Sequence, residues 1–201
     1  MWKIAIPALI GVALGVLTAI LVLPRPDAAV RTSGGVVTTG KALVGGPFSL
    51  VDHTGKPVTD RDFRGRYLLV FFGFTHCPDV CPAALQTVTA ALGMLGAKAN
   101  RVTPIFITLD PERDTPEKLS EYVKSFDARV VGLTGSLDQV HAVAKAYRVV
   151  FKKSESARGG NDYTLDHTSI IYLMDPNGEF VAPLSQARGA AEIAERLQEI
   201  L

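Results

Sequence analysis

Two cysteines are the residues of this chain whose type and spacing point most directly to chemistry. The sequence of 201 residues holds only Cys77 and Cys81, and a disulfide between them would close a loop too short to restrain much of the chain. The pair therefore indicates metal binding or reversible redox chemistry. Because Pro78 disfavours helical geometry at Cys77 and Pro82 suits a first helical position, we expect a loop that ends in a helix, with Cys81 as its cap residue.

The expected helix start affects both kinds of thiol chemistry. In a regular helix, residues four apart hold their Cβ atoms about 5–6 Å apart, whereas a disulfide needs about 3.8 Å. A loop that ends at a helix cap can instead bring the two sulfurs into bonding distance or hold them around a metal. The helix dipole and the free N–H groups of the first turn also stabilise a thiolate. Both uses therefore stay open on geometry alone.

A histidine is the natural third metal ligand, and the sequence contains four. Two soft thiolates and an imidazole suit copper in either oxidation state, whereas a structural zinc site would need four protein ligands. We expect His167 to be the third ligand, because it lies where a polar stretch meets a strand and can reach the cysteine loop if the two strands are neighbours. His53 and His141 are interpreted as surface or packing histidines. His76, next to the first cysteine, stays an open alternative.

Strand and helix patterns alternate along residues 43–201, which predicts an α/β layered fold. The continuous apolar run from Tyr67 to Phe72 is typical of a strand buried on both faces. Residues 152–162 are polar and are predicted as a loop, and the charged residues of 110–114 are interpreted as a solvated turn before a helix. The predicted strands are 48–51, 56–58, 67–72, 102–109, 149–151, 168–174 and 179–184, and the predicted helices are 82–95, 115–126, 136–147 and 190–201.

The N-terminal segment predicts a membrane anchor. No charged residue occurs from Ile4 to Leu23, and about 20 apolar residues match the ~30 Å hydrocarbon core of a bilayer. We expect a transmembrane helix over residues 1–24 and a flexible linker rich in small residues over 25–42. A cleaved signal peptide is the alternative, although the run is long for one and the cleavage motif is poor. Lys3 before the run favours a cytoplasmic N-terminus, with residues 43–201 outside the cytoplasm.

The charge distribution argues against a nucleic-acid partner. The chain carries 21 Lys and Arg residues against 20 Asp and Glu residues, a net charge of +1. The basic residues are spread along the chain and offset by acidic neighbours, without the clustered positive stripe that binds phosphates. We also find no Arg-rich, Ser-rich transit peptide before the apolar run, which favours a bacterial over an organellar protein.

The residues around the candidate ligands resemble the Sco/SenC family of copper proteins, which serve cytochrome c oxidase assembly. The resemblance covers the chain from about residue 48 to the C-terminus. A Cys-x-x-x-Cys pair alone is a weak signal, but an ordered set of motifs is a strong one. These motifs are Asp62-Phe63-Arg64-Gly65-Arg66, Phe72 to Pro82 with both cysteines, Thr108 to Pro116, Val131-Gly132-Leu133-Thr134-Gly135, Asp162 to Thr168 with His167, and Asp175 to Phe180.

The resemblance implies a thioredoxin-like domain with an N-terminal transmembrane helix. It implies copper, as Cu(I) or Cu(II), bound by Cys77, Cys81 and His167. The implied partners are cytochrome c oxidase subunit II, with its dinuclear copper (CuA) site, and a copper donor protein. With the apolar N-terminal run and the lack of a transit peptide noted above, the expected location is the bacterial inner membrane, with the domain in the periplasm. The resemblance also implies that the 110–114 loop helps to shape the site or the partner face, while residues 183–185 are less like the family pattern.

Three functions remain open at this point. The first is a copper chaperone, a protein that binds and transfers metal. The second is a thiol-disulfide reductase with Cys77 and Cys81 as its redox-active pair, for which His167 would be dispensable; dedicated oxidoreductases of this fold usually carry Cys-x-x-Cys instead. The third is a peroxidase, suggested by Thr75-x-Cys77-Pro78. It is disfavoured because it would leave Cys81 and His167 without a role.

Overall fold

The structure, a computed structural model, describes residues 43–155 and 163–201. The anchor predicted over residues 1–24 and the linker predicted over 25–42 lie outside the described residues, so both stay predictions. The described residues belong to the domain predicted over 43–201.

Two long parallel strands form the centre of the sheet. β3 (Tyr67–Gly73) and β4 (Val102–Thr108) pair in register from Tyr67 opposite Val102 to Gly73 opposite Thr108. All of β4 and all but the first residue of β3 are buried. Strands covered on both faces have no polar side to alternate with, which is why both read as continuous apolar runs. The predictions for these two strands are confirmed.

Five shorter strands extend the sheet on either side of this pair. They are β1 Ser49–Asp52, β2 Pro57–Thr59, β5 Val131–Thr134, β8 Ile171–Met174 and β9 Phe180–Leu184. Within the described residues the sheet has seven strands in the order β2-β1-β5-β4-β3-β8-β9. β5 runs parallel to β4, whereas β8 runs antiparallel to β3. The two edges are antiparallel pairs, β1 with β2 and β8 with β9.

The helices lie close to their predicted positions, with clear capping signals at two of them. The Thr115 side chain accepts a hydrogen bond from the N–H of Lys118, and Ser136 and Gln139 form a capping box. The α-helices are α1 Val80–Leu95, α2 Pro116–Val123, α3 Leu137–Ala146 and α4 Gly189–Gln198, and short 3-10 turns cover Asp60–Phe63, Gly96–Arg101 and Gln186–Arg188.

Helix α1 is the main core helix. Together with the following 3-10 turn it forms a helical stretch, Val80–Arg101, which is the one stretch in the described residues long and apolar enough to cross a bilayer. Its apolar side is buried in the hydrophobic core, and α1 packs against α4. We therefore interpret it as a buried helix of this domain. The buried residues of α1 are Cys81, Ala84, Leu85, Val88, Ala91, Leu92 and Leu95.

A two-stranded hairpin outside the main sheet corrects part of the prediction for residues 149–174. β6 (Phe151–Glu155) pairs antiparallel with β7 (Tyr163–His167). Residues 152–155 of the loop predicted over 152–162 are therefore a strand, and the remaining residues of that prediction lie outside the described ones. The strand predicted from residue 168 begins only at Ile171. His167 does not immediately precede it and is instead the last residue of β7. The sequence Phe-Lys-Lys-Ser-Glu lacks an apolar pattern because β6 is largely exposed on a ribbon, and periodicity detects only strands that bury one or both faces.

Candidate metal and thiol site

The cysteine loop connects the end of β3 to the start of α1. Cys77 lies in this loop, and Cys81 is the second residue of α1, after Asp79 as the N-cap. The helix therefore begins at Val80, two residues before the predicted start at Pro82. Cys81 lies inside the first turn, and Pro82 is the third helical residue. The first-turn N–H groups have no partner within the helix, so a proline there removes no helical hydrogen bond. The backbone N–H of Cys81 donates to Sγ of Cys77 at 3.4 Å.

The two thiols have different environments. Cys81 is completely buried, whereas Cys77 is partly exposed. Both are free thiols. A hydrogen bond from the Cys81 thiol, helped by contacts with His167 and by the N–H of Cys81, outweighs burial and lowers the pKa of Cys77 to about 4. The same hydrogen bond, with burial, raises the pKa of Cys81. The accessible sulfur is thus the thiolate and the buried one keeps its proton.

His167 brings its imidazole to the two sulfurs from the end of β7. Its Nε2 lies 3.5 Å from Sγ of Cys81. Its Nδ1 lies 3.0 Å from the carbonyl oxygen of Thr168, and because a carbonyl can only accept, Nδ1 carries a proton. Nε2 is the ring nitrogen nearer to the sulfurs, and it can bind a metal when it carries no proton. Histidines that bind metals are commonly oriented by such a hydrogen bond on the other ring nitrogen.

Two phenylalanines hold the imidazole ring from the side of the core. Phe74 meets it edge to face, with ring centroids 5.9 Å apart and planes at 83°, and Phe71 meets it at 6.3 Å and 69°. Both phenylalanines are buried. On the other side, the cysteine loop and residues 164–169 line an open cavity of about 280 Å³. The site is therefore dry on one side and accessible on the other.

The types of the donor atoms suit a soft metal ion. The 3.5 Å between Cys81 Sγ and His167 Nε2 is short enough for both to bind one ion once their mutual contact is replaced. Cys77 is within hydrogen-bonding reach of both side chains and can complete a set of two sulfurs and one nitrogen. Such a set matches the ligand preference of copper.

The donors are close together but are not already arranged around a metal. Within residues 43–155 and 163–201, the His, Cys, Asp and Glu side chains form no group of three or more with the geometry of a metal site. The two sulfurs and the imidazole instead contact one another, so their donor atoms are engaged in hydrogen bonds. Metal binding would replace these hydrogen bonds and release the remaining thiol proton.

The other three histidines do not join this cluster. His53 accepts a hydrogen bond from the N–H of Gly132 at 3.1 Å and so links β1 to β5. His141 packs on the ring of Phe151 at 5.0 Å. His76 is exposed and contacts Thr75 at 3.4 Å. The structure therefore favours His167 over His76 as the third donor.

The 110–114 loop is the part of the site that sequence reasoning missed. The sequence predicts a solvated turn there, but Asp110 and Asp114 are 2% and 0% exposed. Asp114 accepts hydrogen bonds from Thr75, at the start of the cysteine loop, and Asp110 from Tyr163, at the start of β7. The signal available was the resemblance, which implied that this loop helps to shape the site.

Comparison with known protein families and relatives agrees with the fold. The chain matches the SCO1/SenC family over residues 36–201. It is 46% identical over 157 residues to the mitochondrial SCO1 homolog of Mus musculus, covering 77% of this chain and 55% of that protein. It is 40% identical over 164 residues to mitochondrial SCO2 of Saccharomyces cerevisiae, covering 79% and 54%. The chain thus spans about half the length of these curated relatives.

Solved structures give the same result. The copper-bound structure of ScoI from Bradyrhizobium japonicum is 46% identical, with a TM-score of 0.73, covering 79% of this chain and 99% of that one. The copper-bound ScoI of Arabidopsis thaliana is 40% identical, with a TM-score of 0.73, covering 78% and 98%. The solution structure of apo Sco1 from Thermus thermophilus is 35% identical, with a TM-score of 0.70, covering 79% and 92%. The predicted α/β, thioredoxin-like fold is therefore confirmed, and the chain belongs to the SCO1/SenC family.

Proposed function

We propose that this domain is a copper chaperone that binds a single copper ion through Cys77, Cys81 and His167. The cargo would be delivered to the CuA site of cytochrome c oxidase subunit II, after being received from a copper donor protein. The observation that carries the proposal is the meeting of two thiols and one imidazole, with Nε2 at 3.5 Å from Sγ of the buried Cys81, beside an open cavity that Cys77 and His167 line. The copper in the structures of the two ScoI relatives supports the choice of metal.

The asymmetry of the pocket suits uptake and release. A set of three protein donors leaves the metal coordinatively open, and the cavity lies on the accessible side. Because Cys77 already favours the thiolate, only the buried thiol has to lose a proton when copper binds. A partly exposed thiolate is also the donor from which an incoming ligand can most readily take over the metal.

Copper titration of the purified domain tests this proposal. We expect one copper per chain and a thiolate-to-Cu(II) absorption band, with both lost in Cys77→Ser and Cys81→Ser. His167→Ala should remove the tight phase of Cu(II) binding. The matched control is His76→Ala, which changes a histidine next to the first cysteine but exposed and outside the donor cluster. Tight binding that survives His167→Ala and fails in His76→Ala would refute the assignment.

A thiol-disulfide reductase is the second candidate, and the difference between the two sulfurs favours it. The accessible Cys77 thiolate could attack a disulfide of subunit II, forming a mixed disulfide and releasing one target thiolate. Cys81 would then lose its proton and attack Sγ of Cys77, releasing the second target thiol. The target would gain two electrons and the domain would end as the Cys77–Cys81 disulfide. Reduced target cysteines are what a copper site requires before loading.

The two functions can be separated with the same variants. Reduction of an oxidised subunit II fragment should persist in His167→Ala, since the imidazole is not part of the exchange, while tight Cu(II) binding is lost. Cys81→Ser should accumulate the mixed disulfide through Cys77. Absence of any reduction by the wild-type domain would remove the second candidate and leave the first intact.

We further propose that residues 1–24 anchor the domain in a bacterial inner membrane, with residues 43–201 in the periplasm. The support is the uncharged apolar run from Ile4 to Leu23. The curated relatives reported above are mitochondrial proteins, and one of the copper-bound relatives is from the bacterium Bradyrhizobium japonicum. Protease added to spheroplasts that express the full chain should digest the domain, and protection of the domain would overturn this orientation.

A further inference from the structure

One short segment contacts both halves of the site. Residues 110–114, here named the bracing loop, follow β4 and precede α2. Within it, the carboxylate of Asp114 accepts hydrogen bonds from the backbone N–H of Thr75 at 3.0 Å and from its hydroxyl at 2.6 Å. It also accepts one from the Thr108 hydroxyl at 2.6 Å. Asp114 thereby ties the start of the cysteine loop to the end of β4.

The other end of the bracing loop holds the hairpin that carries His167. Asp110 accepts hydrogen bonds from the Tyr163 hydroxyl at 2.7 Å and from Nε of Arg113. The Arg113 guanidinium lies 3.6 Å from the centroid of the Tyr163 ring, and its Nη1 donates to the Tyr163 carbonyl oxygen at 3.0 Å. Tyr163 is therefore held at its hydroxyl, its ring and its backbone. It is the first residue of β7, and His167 is the last.

The hairpin depends on side-chain contacts of this kind because its strands are not hydrogen-bonded to the main sheet. β6 and β7 pair only with each other. An isolated two-stranded ribbon is marginal in water without packing against other elements. Leu165 is the one residue of the two strands, within their described bounds, that is buried. The position of the imidazole therefore depends on contacts made by β7 itself, at Tyr163 and where Phe71 and Phe74 meet the His167 ring.

We propose that Asp110, Arg113 and Tyr163 act as positioning residues that hold Nε2 of His167 against the two sulfurs. Asp114 fixes the cysteine loop from the same segment, so the bracing loop sets the spacing between the imidazole and the thiols. This inference rests on the proposed function only in treating that spacing as a determinant of copper binding. Two thiolates alone are good ligands for Cu(I), whereas Cu(II) depends more on the nitrogen donor. Loosening the hold should therefore weaken Cu(II) binding more than Cu(I) binding.

Three variants and a matched control test the inference. Tyr163→Phe removes only the hydroxyl that donates to Asp110. Arg113→Gln removes the contact with the ring together with the hydrogen bonds to Asp110 and to the Tyr163 carbonyl oxygen. Asp110→Asn keeps one oxygen that can accept from the Tyr163 hydroxyl but loses the acceptor and the charge that face Arg113, so it should be at least as damaging as Tyr163→Phe. The control is Glu112→Gln in the same loop. Glu112 pairs with Lys153 of β6, but both side chains are more than half exposed, so this ion pair should contribute little.

The first readout is amide hydrogen exchange of β7 in the metal-free protein. Breaking a hydrogen bond to a charged group should speed local opening by about ten- to a hundredfold in Tyr163→Phe and Arg113→Gln. Glu112→Gln should stay within about twofold of wild type. The second readout is affinity for Cu(II) and for Cu(I), each measured by competition with a chelator. Cu(II) affinity should fall towards that of His167→Ala, with a smaller loss for Cu(I).

Each outcome decides between the alternatives. Unchanged amide exchange of β7 in Tyr163→Phe and Arg113→Gln would show that these contacts do not stabilise β7 and would overturn the inference. Faster exchange with unchanged Cu(II) affinity would show that they do not position His167 and would overturn it as well. An equal loss of Cu(I) and Cu(II) affinity points to a purely structural role and also overturns it. If wild type and His167→Ala bind Cu(II) equally, the proposed function fails, while the exchange measurement still decides whether the hold exists. Tyr163→Phe keeps the ring and its packing, so the test survives if Arg113→Gln fails to fold.

Discussion

Gly73→Ala should damage the site through steric contact alone. Gly73 is the last residue of β3, directly before the cysteine loop. A Cβ atom built there would lie 2.7 Å from Sγ of Cys81 and 2.9 Å from Cε2 of Phe106. Ordinary heavy-atom contacts lie at about 3.5–4.0 Å, so the added methyl group would overlap both neighbours by close to an ångström. Both neighbours are completely buried, and neither is the free end of a flexible side chain.

The expected magnitude follows from this overlap. Added atoms in a well-packed core typically cost about 1–3 kcal/mol, and we expect a loss of that size in the free energy of unfolding. Because the sulfur of Cys81 must shift, copper affinity should also fall, by about ten- to a hundredfold, as for other changes that misplace metal ligands. Urea denaturation of the metal-free domain and a copper competition titration measure the two effects.

The chain offers a matched control at Gly93. This glycine lies on the exposed side of α1, and a Cβ atom there would have no neighbour within 4 Å. Gly93→Ala should therefore stabilise the domain by about 0.5–1 kcal/mol, since alanine favours the helix. The same chemical change should thus have opposite signs at the two positions and leave copper affinity unchanged at Gly93.

A double-mutant comparison identifies the displaced group. In a Cys81→Ala background the sulfur is absent, so Gly73→Ala should cost measurably less than in wild type. An equal cost in both backgrounds would assign the clash to Phe106 alone. A Gly73→Ala domain as stable as wild type would refute the steric reasoning altogether.

Three further predictions concern the thiols, a helix cap and the bracing loop. In the metal-free protein, iodoacetamide should modify Cys77 at about pH 6 and leave Cys81 unmodified, because the pKa of Cys77 is lowered to about 4 whereas Cys81 is buried with a raised pKa. Peptide mass spectrometry measures this, and modification that first appears near pH 8 would contradict it. Ser136→Ala should lower the free energy of unfolding by about 1 kcal/mol by removing a capping box, with copper stoichiometry unchanged. Asp114→Asn should cost about 1.5–3 kcal/mol, since an amide cannot accept all three hydrogen bonds made by the buried carboxylate. Denaturant titration tests both changes, and a cost for Asp114→Asn no larger than that of an exposed substitution would show that its hydrogen bonds contribute little.

The sequence predicted the centre of the fold well and its periphery less well. Tyr67–Gly73 and Val102–Thr108 were recognisable because strands covered on both faces must be apolar at every position. Residues of β6 gave no such pattern, because their side chains are mostly exposed and the strand pairs with β7 alone. The helix start near the cysteines was displaced by two residues, since proline is tolerated anywhere in the first turn.

In the site, too, features set by neighbouring residues could be predicted, whereas features that depend on contacts between distant residues could not. The two cysteines are neighbours in sequence, so their shared loop could be predicted from spacing and prolines. His167 needed the assumption that its strand neighbours β3; β8, which follows it, does pair with β3, with Ile171 opposite Phe71. The burial of Asp110 and Asp114 depends on partners about 40–50 residues away, and no periodic pattern records such contacts. That the three donors bind copper stays a prediction.

The pocket can form only after β8 has paired with β3, because β8 follows His167 along the chain. Residues 86 positions apart supply the imidazole and the buried sulfur, so synthesis of the cysteine loop long precedes synthesis of its counterpart. A growing or truncated polypeptide that ends before β7 would expose both thiols without the imidazole of His167, the donor proposed to complete the set. Contacts so distant along the chain cost more loop-closure entropy than local ones, so they depend on the alignment of the intervening strands. Selective metal capture would then report that assembly of the whole sheet is finished.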